Sequence, residues 1–206
     1  MQFTTLTLTT LLSLTFAAPA SLKVRFPIGR YNKVLPPSAT SIYHGQNGAI
    51  DYGVYRGEVS RSNWDGRDNS TLVTFDLNGR TLPDTCFLHF WLEPNSQYND
   101  PARGSFVSGT GLIDVFSSLQ PAPKEGSEGW GGPGNQRNNP LGRVEANFAG
   151  DATTLDSAPN QLSGFKCPRV GDWNVKDGLV GYELVPVGDA DSIRWDAAVS
   201  GLYLSW

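Results

Sequence analysis

Gly178-Leu-Val-Gly-Tyr-Glu-Leu-Val-Pro-Val-Gly-Asp189, Ser192-Ile-Arg-Trp195 and Gly201-Leu-Tyr-Leu-Ser-Trp206 are the pieces on which the fold turns. Each apolar run is short, and each break carries Gly, Pro or Asp, the punctuation of strands joined by tight turns. Leu202, Leu204 and Trp206 alternate, the pattern of a docked strand rather than a loose tail. Phe165-Lys-Cys167 opens the region and brings one of only two cysteines into it.

Working outward, the same short pieces recur. Cys86-Phe-Leu-His-Phe-Trp-Leu92 is apolar on both faces, which predicts a strand covered on each side or one whose outer face meets a loop. Thr71–Leu77 puts Val73, Phe75 and Leu77 on one face, with Asn78-Gly79 as the turn. Leu22–Phe26, Ser41–Tyr43, Ala49–Tyr55, Phe106–Val107, Gly111–Phe116 and Arg143–Phe148 add further candidates, and Asn47-Gly48 is a hairpin signal. No amphipathic helix of useful length and no fixed-period repeat is present. The expected fold is an all-β antiparallel β-sandwich, jelly-roll or Greek-key like, with long Gly/Pro-rich loops and one disulfide. Gln120–Pro140 stands apart. Pro121, Pro123, Pro133 and Pro140 with Gly126, Gly129, Gly131, Gly132 and Gly134 predict a loop that no helix or central strand survives.

Composition narrows function. The chain has 206 residues and a net charge of −4, the size of one domain. The acidic balance argues against a nucleic-acid partner, which needs a basic patch. Residues 1–20 lack charge and carry Leu6, Leu8, Leu11, Leu12, Leu14 and Phe16 before Ala17, Ala18 and Ala20. That reads as a secretory signal peptide cleaved after Ala17 or Ala20, too short and Thr-broken to span a membrane. Residues 21–206 are then one domain, with no membrane span after signal removal. Secretion favours a Cys86–Cys167 disulfide over two separate buried thiols. It also makes Asn69, in the only Asn-x-Ser/Thr sequon, a candidate glycan acceptor.

Several pieces resemble a known family. They are Thr71–Leu77, Thr85-Cys86 with a strand ending at Phe90, Ser108–Phe116 and Pro133-Gly-Asn-Gln-Arg137, then Phe165–Pro168, Tyr182–Gly188 and Ser200–Leu204. In their order and spacing these are similar to the fungal ubiquitin-3-binding-protein C-terminal domain family of small secreted or cell-surface β-sandwich proteins. The resemblance covers residues 64–206 and leaves 21–63 as N-terminal strands and loops. It implies a disulfide-bearing sandwich in a fungal, extracellular setting and brings no catalytic motif. The intracellular protein interaction recorded in the family name is not carried over, because a signal peptide removes the chain from that compartment.

The residues themselves offer little chemistry. Only His44 and His89 can serve as imidazole bases. His89 lies between Leu88 and Phe90 and reads as a packed structural side chain; His44 reads as exposed in a Gly-rich turn. Glu58, Glu93, Glu145 and Glu183 are the carboxylates a glycosidase would draw on, although Glu145 and Glu183 fall on polar strand faces and read as solvated. Asp65-Gly-Arg-Asp68 and Asp189-Ala-Asp191 lack EF-hand spacing and read as turn residues. No metal or cofactor is expected. Trp64 and Trp130 sit in polar, turn-like stretches and are candidate ligand-stacking residues, with core plugs as the competing reading. Trp91, Trp195 and Trp206 read as core or near it. The expectation is a secreted, non-catalytic fungal β-sandwich protein that binds a cell-wall polysaccharide or an extracellular protein. A carbohydrate-active hydrolase with a carboxylate pair is the alternative.

Overall fold

The computed structural model describes residues 33–62, 66–93, 104–126, 129–130, 132, 134–148, 150–155 and 161–206. The expected targeting segment and the expected Leu22–Phe26 strand lie outside the described residues. Among the described residues there is no helix, and every strand pairing is antiparallel. Two sheets form a curled sandwich.

The smaller sheet is built on β6 (Thr85–Leu92). β17 (Gly201–Ser205) pairs along one edge of β6 and carries β1 (Val34–Leu35) on its far side. The other edge of β6 takes β13 (Ser163–Lys166) and then β11 (Gly150–Asp151). The larger sheet runs β12 (Thr153–Leu155), β10 (Arg137–Glu145), β8 (Leu112–Ser118), β15 (Leu179–Pro186), β5 (Asn69–Asp76), β2 (Ala39–His44), β3 (Ala49–Asp51) and β9 (Gly129–Trp130). β14 (Val175–Lys176) pairs with β15. A branch leaves β5 through β4 (Arg56–Ser60), β16 (Ser192–Asp196) and β7 (Phe106–Ser108).

Period-two alternation decides which side chains meet between the sheets. Val73 and Phe75 of β5, Val180, Tyr182 and Leu184 of β15, and Cys86, Leu88, Phe90 and Leu92 of β6 all enter one core. Each fully buried Leu or Phe there contributes about 1.5–3 kcal/mol. The β4–β16 branch joins this core through Val59, Ile193 and Trp195. Trp195 meets Phe90 edge-on at 5.0 Å. It fits because two strands offer bare backbone to its ring: a Cβ on Gly57 would lie 2.1 Å from Trp195 Cε2, and one on Gly201 would lie 2.5 Å from its Nε1. Cys86 and Cys167 are bonded, with Cα atoms 4.9 Å apart, tying β6 to the segment after β13.

The Gly/Pro-rich segment departs from expectation. It holds β9, and β10 runs through Pro140. A proline survives there because the β10–β8 register slips on both sides of it, and because β12 pairs only Arg143–Glu145, so Pro140 stands at a bulge beyond that pairing. Pro121, Ala122 and Gly134 lie against the outer face of β5 and β15. Thr74 Oγ1 donates to Ala122 O at 2.7 Å, and Leu72, Ile50 and Ala122 form a second small core with Tyr43 and Tyr52 against it. A Cβ on Gly132 would lie 2.1 Å from the Tyr52 hydroxyl, so the glycines there serve close approach.

Candidate functional site

The covered outer face of the large sheet changes the reading of one carboxylate. Glu183 was expected on a solvated strand face, yet it is fully buried. Its Oε1 accepts from Ser70 Oγ at 2.7 Å and Arg137 Nη2 at 2.7 Å, and its Oε2 accepts from Arg137 Nε at 3.0 Å. Arg137 also lies over the Phe116 ring, 5.0 Å from its centroid. A bidentate guanidinium offsets the desolvation of the carboxylate. Next to it, Arg143 holds Asp114 in the same two-pronged way, at 2.7 and 2.9 Å.

His44 also departs from the exposed-turn reading. It is the last residue of β2, half-buried, with Nδ1 2.9 Å from Asn69 Oδ1 and Nε2 2.9 Å from Asp51 Oδ2. Cross-strand registry sets this up, because Asn69 lies opposite His44 on one side and opposite Ser60 on the other. Asn69 Nδ2 donates to Glu58 Oε1 at 3.3 Å, and Arg194 Nε lies 3.4 Å from Glu58 Oε2. A polar chain thus crosses from β3 to β16. Burial works against charge on His44, but the hydrogen bonds to Asp51 and Asn69 and the charges of Asp51 and Glu58 outweigh it and raise the imidazole above its ordinary value.

The remaining sequence candidates are dispersed. His89 is half-buried and stacks on Tyr203 at 5.0 Å; burial lowers its imidazole, opposed by the charge of Asp151. Glu145 is exposed and Glu93 half-buried. The buried carboxylate of Asp191 accepts from Gly188 N at 2.8 Å and from Thr110 Oγ1 at 2.6 Å, which closes a turn. Asp65, from the other aspartate-bearing turn, lies outside the described residues, as does Trp64. Trp130 is placed in β9, its backbone paired with Ala49. Asn69, the sequon residue, begins β5.

Sequence reasoning passed over a cleft at one end of the sandwich. It opens where β10 and β15 of the large sheet face β13 and the Cys167–Asn174 segment, and its volume is about 260 Å³. Trp173 stands at the rim with 61% of its surface exposed. Tyr182, only 3% exposed, borders the cleft from the core side, and burial pushes its phenol well above its ordinary range. Among the described residues the Tyr182 hydroxyl makes no hydrogen bond; its ring contact is with Phe75, edge-on at 5.8 Å. Asn139, Gln161 and Asn174 add side-chain amides.

The Trp173 segment is held tightly for a loop. Arg169 N donates to Asp172 Oδ2 at 2.9 Å, Asp172 N to Arg169 O at 2.9 Å and Val175 N to Asp172 O at 3.0 Å. Cys167 N donates to Asp84 O at 3.0 Å, Arg169 pairs with the Asp84 carboxylate, and the disulfide fixes the start of the segment. Trp173-Asn174 following Gly171-Asp172 is polar and turn-like, so the criterion that selected Trp64 and Trp130 would have found it. No protein-family model matches the chain, and no curated protein matches it. Its function therefore has to be argued from these groups.

Proposed function

We propose that the chain is a secreted, non-catalytic fungal β-sandwich protein that binds a glycan or a protein partner at the cell wall or elsewhere outside the cell. The observation that carries this reading is the cleft bearing an exposed tryptophan on a disulfide-anchored loop. Rigid aromatic surface beside side-chain amides suits recognition. The disulfide is compatible with an extracellular location, and no helix among the described residues is long and apolar enough to cross a membrane. The order of short motifs similar to the fungal family supports the same setting. On this reading Asn69 is the glycan acceptor, with attachment leaving one Nδ2 hydrogen for Glu58.

Hydrolysis by a carboxylate pair is the weaker reading. A general acid must hold a proton and release it to the leaving group. Glu183 and Asp114 each accept two hydrogen bonds from an arginine, which occupies the oxygens a general acid would present to a leaving group, and Glu58 accepts from Ser60 and Asn69 and pairs with Arg194. The test is retention of the secreted, oxidised protein on insoluble chitin and β-glucan, with reducing ends counted in the supernatant. Retention without release of reducing ends supports binding. Release that disappears in a glutamate variant would establish the hydrolase instead.

A further inference from the structure

The geometry points to the Trp173–Tyr182 cleft as a carbohydrate subsite that takes one uncharged pyranose unit of a polysaccharide chain. This inference rests on the glycan branch of the proposed function and assigns it a place and a ligand class. Three observations converge. Trp173 offers an exposed, flat indole on a segment already ordered by the disulfide and by the turn that Asp172 closes. A pyranose presents a face of C–H groups that packs on such a ring, and a preorganised ring loses little entropy on binding.

The second observation is Tyr182. It borders the cleft from the core side, as the buried Ser117 also does, and among the described residues its hydroxyl makes no hydrogen bond. Its hydroxyl is not among the polar atoms sealed from solvent without a partner, so a sugar hydroxyl reaching the cleft floor would take the place of water on it. Asn139, Gln161 and Asn174 supply amides that both donate and accept, which matches hydroxyl groups better than carboxylates or phosphates. The third is charge. Among the described residues, the only ionised side chains lining the cleft are Lys166 and Asp172, of opposite sign and 3.9 Å apart. The cleft is thus balanced, and a charged uronic acid or phosphate finds no unmatched partner in it. The volume of about 260 Å³ with an open mouth admits one ring and leaves the chain on either side in solvent.

The test uses the oxidised secreted protein and two soluble probes, a β-1,3-glucan oligosaccharide and an N-acetylglucosamine oligosaccharide, followed by calorimetry and tryptophan fluorescence. One probe should bind and perturb the fluorescence. Trp173→Ala should weaken binding about tenfold or more, the loss typical of an aromatic anchor. Tyr182→Phe, which keeps the packing and deletes only the hydroxyl, should weaken it about fivefold. Both variants should keep the near-UV spectrum of an ordered core apart from the deleted chromophore. Wild-type affinity in both variants would overturn the cleft while leaving glycan binding standing, and Trp130→Ala would then be the variant that loses retention. Binding of polygalacturonate alone would overturn the uncharged class. Failure of the wild-type protein to bind either probe or either insoluble polymer would overturn both the subsite and the glycan reading beneath it.

Discussion

Arg137→Met should destabilise the protein far more than Glu183→Gln, although the two residues form one ion pair. The asymmetry comes from burial. The Arg137 side chain is 42% exposed and that of Glu183 is 0% exposed. Without its carboxylate, the guanidinium turns towards water and keeps its place over Phe116, so Glu183→Gln loses two charge-assisted hydrogen bonds and retains Ser70 as a partner, a cost of about 1–3 kcal/mol. Without its guanidinium, Glu183 is left in the covered face with only Ser70 Oγ at 2.7 Å. Removing one partner of a buried pair costs about 3–5 kcal/mol. For a domain of this size that corresponds to a fall in Tm of roughly 6–20 °C. The double variant should recover part of the Arg137→Met loss, because a neutral amide needs no counter-ion, with a coupling of about 1–3 kcal/mol. Urea unfolding of disulfide-intact protein, followed by tryptophan fluorescence, measures all three. An Arg137→Met cost below about 1 kcal/mol, the value of an exposed pair, would refute the reasoning. So would a Glu183→Gln cost larger than that of Arg137→Met.

Three further outcomes follow from the same geometry. Cys86 and Cys167 are 81 positions apart, so replacing both by Ala should cost about 4–5 kcal/mol by the loop-entropy relation; non-reducing mass spectrometry should show the linked peptides, and two alkylatable thiols in secreted protein would contradict the pairing. Gly57→Ala should cost about 1–3 kcal/mol by overpacking, since the new Cβ would lie 2.1 Å from Trp195 Cε2; denaturant unfolding and the near-UV band of Trp195 report it, and an unchanged midpoint would mean the indole has room to shift. The two histidines should give opposite pH profiles. The imidazole of His44 is raised in the folded protein, so its stabilisation is complete below the unfolded value near 6.5 and is lost as pH rises through the higher folded value. That of His89 is lowered, so its contribution is complete above about 6.5 and is lost as pH falls through the lower folded value. His44→Gln should therefore destabilise more at pH 5 than at pH 8 and His89→Gln the reverse; stability curves with the same slope for both variants would sink this assignment.

What the sequence disclosed and what it hid have a common physical basis. Alternation states which face of a strand a side chain takes, so Val73, Phe75, Leu88, Phe90, Leu202 and Leu204 were legible as core, and the cysteines were legible as a pair. Alternation does not state whether the other face is covered. Glu183 sits among apolar neighbours at period two and reads as wet, but it is dry because Arg137 and Ser70 close on it, while Pro121, Ala122 and Gly134 pack beside Gly181 and Leu72 on neighbouring positions of β15 and β5. Composition marked that same segment as loop, and it gave no sign of what the loop would lie on. β4 escaped for a related reason. Arg56-Gly-Glu-Val-Ser60 has a single apolar residue, and its membership in the core depends on Gly57 yielding space to Trp195 from a strand more than a hundred residues later. His44 looked exposed because its partners, Asp51 and Asn69, come to it across two different strand pairings.

The cleft follows the same logic. Trp173 stands in a stretch whose composition marks it, whereas nothing local says that a tyrosine of β15 and a rim tryptophan border one opening. The disulfide brings them there. It fixes Cys167 beside β6 and so sets the starting point of the Trp173 segment against the end of the sandwich. If the subsite is real, reducing that bond in protein that stays folded should loosen the rim and leave the Tyr182 floor intact. Affinity for the oligosaccharide should then fall while the core spectrum holds. Equal affinity in the reduced, folded protein would mean the Trp173 segment is ordered by Asp172 and Asp84 alone.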